Sequence, residues 1–461
     1  MAEDLRNELF YNQKNGYDII DVEERLKLES YCDAYKEYLN ASRTEREAVR
    51  EGIRQAEAAG FVPYKRGMML TAGTKVYKSV RGKALLLAVM GKETLDKGAN
   101  IAAAHVDSPR LDLKQVPLFE DSELCYFKTH YYGGIKKYQW VAIPLELHGV
   151  VTKKNGETID IVIGKDPEDP KFVISDLLPH LGKDQMAKTA ADAISGEMLN
   201  VLVGSVPYAD EGKDRVKLAV ISLLNDRYGI TEEDFLSAEL EAIPSFDCVD
   251  VGLDRALLGG YGHDDRVCAY AELKAIFDIE TPDKTAVCIL ADKEEIGSMG
   301  VSGMQAKAFE SFMADLCEQQ DVRLRDCFEN SFCVSADVCA AYDPSFPEVS
   351  EKRNNAQMNY GVGICKYTGS RGKSGSNDAS AEVMGTIRRI YGDNGVVWQT
   401  SELGKVDQGG GGTVALYMAN RDIDTVDAGV PVMSMHAPFE VVSKFDCYMT
   451  YKAMWALYKD R

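Results

Sequence analysis

Five short segments of the chain carry histidine, aspartate and glutamate side chains that could bind metal ions or move protons. They are His105 and Asp107 in AAAHVDSPRL, Asp264 and Asp265 in GHDDRVC, Glu294 and Glu295 in ADKEEIG, Asp337 in VSADV, and His436 in MSMHAPF. Two imidazoles, a carboxylate able to bridge and two further carboxylates are an adequate ligand set for a pair of divalent ions about 3.5–4 Å apart. Mixed nitrogen and oxygen ligands favour zinc, with cobalt or manganese as alternatives, over copper or iron–sulfur chemistry.

These segments lie at the ends of predicted secondary-structure elements. Four short apolar runs, ANIAAAHVDSP, KTAVCILADKEE, SFCVSADV and VPVMSMHAP, each end in one of these acidic or imidazole-containing segments. A fifth apolar run, KALLLAVMG, does not. The remaining segment, with the sequence HDD, opens a helix. Near-continuous apolar runs are typical of strands that helices cover on both faces. Because ligands bind at the carboxyl edge of such a sheet, we expect these residues to converge there although they are far apart in sequence.

The predicted fold class is α/β, with a mixed sheet sandwiched by helices and an inserted β-rich domain. Residues 21–59 have the apolar spacing of helices. Between residues 116 and 246 the pattern changes to alternating strands such as TIDIVIG, separated by Lys-Asn-Gly and Asp-Pro turns. Since the chain is too long for one simple core, residues 1–115 and 247–461 are assigned to one discontinuous domain and residues 116–246 to an inserted domain.

Each of these side chains alone is weak evidence for a metal site. A single histidine after a buried strand is more often structural, a Glu-Glu pair is usually a solvated turn, and His-Asp-Asp is a common helix N-cap. Together the clusters favour a metal site, because strands that end repeatedly in carboxylate and imidazole would otherwise bury uncompensated charge. The remaining histidines, His130, His148, His180 and His263, are interpreted as structural, with His263 also a candidate neighbour of the site.

Composition restricts the partners of the protein. The formal net charge of −20 disfavours binding to phosphate backbones and to anionic lipid surfaces. The N-terminal residues contain no apolar signal region, and the longest apolar stretches are shorter than a membrane span. We therefore expect a cytoplasmic protein without nucleic-acid or membrane partners. The eleven cysteines lack CxxC pairs and are expected to be reduced and buried.

The motifs HVDSPRL, HDDR followed by a helix, EEIGS, SADV and MHAPFEVVSK occur in the order found in the M18 family (aspartyl aminopeptidase and aminopeptidase I) of dinuclear zinc exopeptidases. The chain resembles this family over essentially its whole length. Carried over position by position, the resemblance implies two ions per subunit, expected to be zinc, with the ligand sets His105–Asp264–Asp337 and Asp264–Glu295–His436. It also implies that Glu294 is the general base and that Asp107 orients an imidazole or that base.

Three further residues are candidates for substrate binding. The resemblance puts Lys366 near the first side chain of the substrate and Gly411 in a loop beside the pocket. The alternatives are a solvent-facing lysine and a plain flexible turn. Where eukaryotic members carry a histidine that reaches a neighbouring active site, this chain has Lys136 and Lys137 after YYGG. Lys137 is therefore the third candidate. The family favours acidic N-terminal residues, but this replacement leaves neutral and basic residues open.

The predicted function is a metal-dependent aminopeptidase that hydrolyses the N-terminal residue from peptides. Members of the family commonly form a hollow tetrahedral dodecamer, so the resemblance implies a large homo-oligomer. It also implies that residues 1–115 and 247–461 form the catalytic domain and that residues 116–246 form the oligomerisation domain. Two alternatives stay open. One is a two-metal deacylase or amidase that acts on N-acyl compounds, and the other is a non-catalytic cargo-binding scaffold of the same fold. The intact ligand set argues against the scaffold.

Overall fold

A computed structural model describes the backbone of residues 2–461 and the side chains of residues 5, 6 and 8–461. Within that range the helices are α1 (Ala2–Leu9), α2 (Val22–Ala41), α3 (Glu45–Ala58), α4 (Lys183–Met186), α5 (Ala190–Ala193), α6 (Arg215–Tyr228), α7 (His263–Phe277), α8 (Ala308–Glu318), α9 (Leu324–Glu329), α10 (Ala381–Asp393), α11 (Ala415–Ala419) and α12 (Lys444–Lys459). The strands are β1 (Val62–Pro63), β2 (Lys75–Val80), β3 (Ala84–Val89), β4 (Ala99–His105), β5 (Arg110–Asp121), β6 (Leu124–Tyr132), β7 (Leu145–Thr152), β8 (Thr158–Ile163), β9 (Asn200–Gly204), β10 (Ala238–Pro244), β11 (Val249–Val251), β12 (Leu257–Gly260), β13 (Thr285–Ala291), β14 (Phe332–Ser335), β15 (Cys339–Ala340), β16 (Val362–Cys365), β17 (Trp398–Thr400), β18 (Asp424–Gly429), β19 (Pro431–Met433) and β20 (Glu440–Ser443).

The described strands form three sheets. Their strand orders are β1-β2-β3-β13-β4-β14-β18-β16-β17 in the nine-stranded sheet, β8-β7-β10-β5-β6-β9 in the six-stranded sheet and β11-β12-β20-β19-β15 in the five-stranded sheet. In the nine-stranded sheet β13, β4, β14 and β18 are consecutive parallel neighbours. Their carboxyl ends therefore lie at one edge of the sheet. The predicted mixed α/β fold class is confirmed.

Helices cover both faces of the nine-stranded sheet because its central strands are apolar on both sides. Along β3, Leu85 and Leu87 pack into one layer, while Leu86 and Ala88 pack into the other, as the two-residue period of a strand requires. The first layer contains α2, α3, α7, α10 and α12, and the second contains α8, α9 and α11. The helices predicted over residues 21–59 are α2 and α3.

The six-stranded sheet lies between residues 110 and 244 and is antiparallel throughout. Its own core includes Leu111, Phe127 and Leu147, against which Val216 and Val220 of α6 pack. Strand β5 begins before the predicted boundary at residue 116, because its first residues already pair with the end of β6. The assignment of residues 116–246 to a separate oligomerisation domain stays a prediction.

Two expectations from composition concern apolar helices and cysteines. Of the helices in residues 2–461, none has the length and apolar character needed to cross a bilayer. All eleven cysteines are free thiols, and every one except the half-buried Cys365 is buried. The expected buried, unpaired cysteines are thus present in the fold.

Buried charges connect α3 to the six-stranded sheet. His148 on β7 lies between two carboxylates, with its Nδ1 2.9 Å from Glu47 Oε1 and its Nε2 3.3 Å from Glu146 Oε1. Burial acts to lower the pKa of His148, but the two carboxylates outweigh burial and raise that pKa above its ordinary value. His148 is thus structural, and its ring joins α3 to the six-stranded sheet.

We predict that His148→Gln lowers the melting temperature most at mildly acidic pH. Because the pKa of His148 is raised in the folded state, its stabilisation is complete below the unfolded-state pKa of about 6.5 and is lost as the pH rises through the raised value. Calorimetry at about pH 6 and about pH 9 should give the larger difference from wild type at the lower pH. An equal difference at both would contradict this account. The exposed His130→Gln is the matched control.

Candidate metal centre and substrate cavity

The five predicted metal ligands come together at the carboxyl edge of the nine-stranded sheet. Asp264, at the start of α7, lies at the centre of the group. Its Oδ1 is 3.2 Å from His105 Nε2 at the end of β4, and its Oδ2 is 3.2 Å from His436 Nε2, which follows β19. Two imidazoles therefore face different oxygens of one carboxylate.

The other predicted ligands flank this arrangement. Glu295, after β13, has its Oε2 3.4 Å from His436 Nε2, and Asp337, after β14, has its Oδ1 3.9 Å from His105 Nε2. Glu294 belongs to the same group, because its Oε2 is 3.9 Å from His105 Nε2. The candidate ligands thus occupy both sides of the central carboxylate, beside the predicted base.

Asp265 also lies in this group, although only its neighbour Asp264 was predicted as a ligand. The potential ligand atoms of His105, Asp264 and Glu295 lie within 4.8 Å of one another, as do those of His105, Asp265 and Asp337. One carboxylate oxygen of Asp265 accepts the backbone N–H of His105 at 3.2 Å. Because this bond ties Asp265 to β4, we retain Asp264, which faces both imidazoles, as the candidate bridge.

Backbone carbonyls fix the orientation of both imidazoles. His105 Nδ1 donates to the carbonyl oxygen of Asp107 at 2.9 Å, and His436 Nδ1 donates to that of Gly134 at 2.7 Å. Because a carbonyl only accepts, Nδ1 of each ring carries a proton, and Nε2 points towards the acidic group. This is the orientation found in histidines that bind metal through Nε2.

A glycine turn from the six-stranded sheet packs directly against the group. Gly133 has φ +73°, and a Cβ at that position would lie 3.3 Å from Glu295 Oε2. Gly134 supplies the carbonyl that holds His436. The turn after YY therefore needs glycine because of close approach and because of its left-handed backbone.

Asp107 holds the backbone that carries Glu294 and Glu295. Its carboxylate accepts the N–H of Glu294 at 3.1 Å, the N–H of Glu295 at 3.2 Å and the hydroxyl of Tyr132 at 2.8 Å. The prediction that Asp107 orients an imidazole or the base stays a prediction. Tyr132 was missed by sequence analysis, although its place in the YYGG motif was a signal.

Glu440, on β20, is a second residue that sequence analysis missed. Its carboxylate accepts the backbone N–H of Asp264 at 3.0 Å and that of His436 at 2.7 Å. Burial raises the pKa of Glu440 to about 8. One buried carboxyl group therefore ties together the backbones of two candidate ligands. The only signal in the sequence was a glutamate shortly after His436 in MHAPFE.

The electrostatics of the group fit divalent cations. Burial raises the pKa of Glu294 to about 7 and the pKa values of Glu295 and Asp337 well above their usual range. Burial also acts to raise the pKa of Asp264, but the two adjacent imidazoles outweigh it and lower that pKa. Glu295 Oε1 is buried and has no hydrogen-bond partner among the described residues. Cations bound here would compensate this concentration of buried acid.

A cavity of about 430 Å³ opens onto the candidate ligands. Its acidic side contains Asp264, Glu294, Glu295 and Asp337, with His436 beside them. The rest of its lining is Gly297, Val338, Cys339, Ala340, Cys365, Tyr367, Thr368, Leu403, Gly410, Gly411, Gly412, Thr413, Tyr417 and Met435. Gly411 thus lies in the wall of the cavity, and its role in binding substrate stays a prediction.

The two candidate lysines lie outside this lining. The ammonium group of Lys366 pairs with Asp378 instead. Lys137 begins a short turn after YYGG, and it is Lys136 that lines a neighbouring cavity of about 820 Å³. The involvement of Lys366 and Lys137 with substrate therefore stays a prediction. His263 is buried, with its Nδ1 2.7 Å from the hydroxyl of Tyr35.

The chain folds into a helix-covered mixed sheet, and its acidic centre with two imidazoles lies at the carboxyl edge of that sheet. This combination defines the chain as a metal-dependent enzyme of the α/β class. The family model described as aminopeptidase I zinc metalloprotease (M18) matches residues 38–458. A probable M18 family aminopeptidase 1 from Clostridium acetobutylicum is 48% identical over 455 residues, which cover 97% of this chain and 98% of that protein. The chain therefore belongs to the M18 family and is a metalloaminopeptidase.

Solved structures agree with this assignment. The crystal structure of an M18 aminopeptidase from Thermotoga maritima superposes with a TM-score of 0.95 at 42% identity, covering 98% of this chain and all of that one (100%). The structure of a dodecamer of mApe1 from Saccharomyces cerevisiae has a TM-score of 0.77 at 20% identity and shares the fold.

We predict that Tyr132→Phe lowers activity or metal affinity by about 10- to 100-fold, because Asp107 loses one of the hydrogen-bond donors that hold its carboxylate in place. Hydrolysis of an aminoacyl p-nitroanilide and competition for zinc with a chelator measure the two effects. The adjacent, exposed Tyr131→Phe is the matched control. If both variants match wild type in both measurements, Tyr132 does not support the centre.

Proposed function

We propose that this metalloaminopeptidase removes the N-terminal residue from peptides at a pair of divalent ions. The observation that carries the proposal is the Asp264 carboxylate, which has an imidazole Nε2 3.2 Å from each of its oxygens. That arrangement suits a carboxylate shared by two ions. We assign the ligand sets His105–Asp264–Asp337 and Asp264–Glu295–His436, with zinc as the expected metal and cobalt or manganese as alternatives.

In this proposal Glu294 is the general base. Two bound divalent ions would acidify water and stabilise the oxyanion that forms when the peptide carbonyl is attacked. Glu294 lines the cavity next to the proposed ligand Glu295 and is not itself assigned as a ligand. It takes a proton from the attacking water and passes it to the leaving amine. Asp107 keeps Glu294 in place through the backbone N–H of the base.

The acidic side of the cavity supports action on free N-termini. An ion held by the carboxylates that line this side would also bind the free α-amine of a peptide, whereas an internal peptide bond offers no such amine. Acidic N-terminal residues stay the expectation from the family resemblance, and a cytoplasmic location stays a prediction.

We also propose that the protein assembles into a large homo-oligomer, with a dodecamer as the expected form. The fold relative from yeast, solved as a dodecamer, supports this proposal. The segment between residues 116 and 246 carries exposed apolar side chains, among them Leu181, Met186 and Leu223, at 68%, 79% and 69% exposure. Exposed apolar side chains mark a subunit contact where they form one continuous patch.

Two alternative functions make different demands on the site. A two-metal deacylase or amidase would act on N-acyl amino acids and would not require a free amine. Parallel assays with aminoacyl chromogens and N-acyl amino acids distinguish it from the aminopeptidase. A non-catalytic scaffold has no need for the complete set of candidate ligands and base, so the intact centre disfavours it.

We predict that Glu294→Gln keeps its bound metal but lowers kcat by about 10²- to 10⁴-fold, because only the proton transfer is removed. Metal content by mass spectrometry and turnover of an aminoacyl p-nitroanilide check the two parts. The exposed Glu93→Gln is the control for a change of charge alone. Turnover close to wild type in Glu294→Gln would rule out the assigned base.

We predict that Asp264→Asn loses metal, because a neutral amide cannot compensate the charge of two cations held together. Zinc-replete wild type should retain two ions per chain after desalting, and the variant about one or none. Wild-type stoichiometry in the variant would be incompatible with Asp264 as the bridge.

A further inference from the structure

A second cavity, of about 820 Å³, adjoins the catalytic cavity. The two cavities share Ala340, Leu403 and Met435 in their linings, and Met435 directly precedes the candidate ligand His436. Among the described residues that line this adjoining cavity there is no candidate ligand and no proposed base. A peptide whose N-terminal residue occupies the catalytic cavity therefore has room to extend past the candidate metal centre into the adjoining cavity.

The adjoining cavity offers one unpaired positive charge. Among the described residues that line it, Lys136 is the one cation and Asp343 the one carboxylate. Asp343 Oδ1 accepts the backbone N–H of Ser345 at 2.8 Å, so this carboxylate already closes a turn. Lys136 is exposed, and its ammonium group has no carboxylate within 4.0 Å in the described part of the chain. Lys366, by contrast, is paired with Asp378.

The backbone is anchored on both sides of Lys136. Two residues before it, the carbonyl oxygen of Gly134 accepts a hydrogen bond from Nδ1 of His436 at 2.7 Å. The carbonyl oxygen of Lys136 itself accepts the N–H of Gln139 at 2.9 Å and starts a short turn that ends at the buried Trp140. The ammonium group is thus tethered beside a candidate ligand, while its flexible stem lets it reach along the cavity.

The group that this cation would recognise on a peptide is the C-terminal carboxylate. An extended chain advances about 3.3–3.6 Å per residue, so the carboxylate of a dipeptide or tripeptide lies roughly 3–7 Å beyond the carbonyl that is attacked. A hexapeptide carries its carboxylate roughly 17 Å beyond that carbonyl. A charge-assisted hydrogen bond from an ammonium group is stronger to a carboxylate than to a neutral amide. Short peptides with a free C-terminus therefore match the position and the charge of Lys136.

We infer that the adjoining cavity binds the part of a short peptide that leaves after cleavage, and that Lys136 binds the C-terminal carboxylate of that part. This inference rests on the proposed function and names a substrate class for it, namely dipeptides and tripeptides with a free C-terminus. Lys136 acts in binding and takes no part in the proton transfers assigned to Glu294.

The first test compares a dipeptide, a tripeptide and a hexapeptide with their C-terminal amides, using the zinc-loaded protein. Each peptide begins with the residue whose p-nitroanilide is cleaved fastest, followed by glycines. For at least one of the two short peptides we expect kcat/KM of the acid to exceed that of the amide by at least about threefold, the scale of a partly exposed ion pair. For the hexapeptide the ratio should be about 1, because its carboxylate lies too far away.

The same assays distinguish the inference from the proposed function. Acids and amides of both short peptides that are cleaved at equal rates would overturn the inference and leave the aminopeptidase standing. Absence of hydrolysis of the peptides and of every p-nitroanilide, with zinc, cobalt or manganese bound, would overturn the proposed function itself.

A second test changes the cation. Lys136→Met keeps a side chain of similar length without charge and should reduce the acid-to-amide ratio to about 1, whereas Lys136→Arg retains the charge and should keep the preference. Lys154→Met, at a side chain 85% exposed between β7 and β8, controls for the change of net charge and should keep the wild-type ratio. A wild-type ratio in Lys136→Met would overturn the assignment of the carboxylate to Lys136.

A binding measurement separates recognition from turnover. Calorimetric titration of Glu294→Gln should show tighter binding of whichever short peptide acid is preferred in turnover than of its amide. Addition of Lys136→Met to that variant should abolish the difference. Equal affinity of acid and amide for Glu294→Gln would contradict the inference.

Discussion

The structure depends on compensating the negative charge of several buried carboxylates at the carboxyl edge of the nine-stranded sheet. The carboxylates of Asp264, Glu294, Glu295 and Asp337 each lie within 4 Å of an imidazole nitrogen of His105 or His436. Carboxylates in this setting are costly to keep charged, as the raised pKa values of Glu294, Glu295 and Asp337 indicate. Bound divalent cations would resolve this constraint, and in the proposed function the same cations would supply the chemistry of peptide hydrolysis.

Elements from all three sheets hold the acidic group in place. The nine-stranded sheet supplies the parallel strands that end at His105 or lead to Glu295 and Asp337. The five-stranded sheet supplies Glu440, which accepts N–H groups from the segments of Asp264 and His436. The six-stranded sheet supplies the YYGG turn, through the Tyr132 hydroxyl on Asp107 and the Gly134 carbonyl on His436. Hydrogen bonds of this kind hold metal ligands and a general base in fixed positions relative to one another.

Much of the centre was predictable from the sequence, because parallel strands bring their carboxyl ends to one edge. A polar residue after an apolar run therefore indicates position as well as chemistry, and this is why His105, Glu295 and Asp337 could be grouped. Glu440 and Tyr132 could not be found in this way. Each lies in a strand whose pattern predicts burial but does not identify a partner from another sheet.

Side-chain pairing limited the sequence interpretation in the substrate cavity. The ammonium group of Lys366, a candidate from the family resemblance, pairs with Asp378 twelve residues further on, and no local pattern in the sequence predicts that pair. The start of β5 at Arg110 also preceded the predicted boundary, since the change in hydrophobic period becomes visible only after the strand has left the catalytic centre. The local hydrophobic pattern of a sequence predicts burial well, whereas ion pairs and the register between strands depend on the tertiary structure.

The most direct measurement of the central claim is anomalous X-ray diffraction at the zinc edge from crystals of the zinc-loaded protein. The account predicts two anomalous peaks about 3–4 Å apart, one on each side of the Asp264 carboxylate. One peak should lie within bonding distance of His105 Nε2 and the other within bonding distance of His436 Nε2. A single peak, or peaks bound by residues other than these, would contradict the proposed two-ion centre.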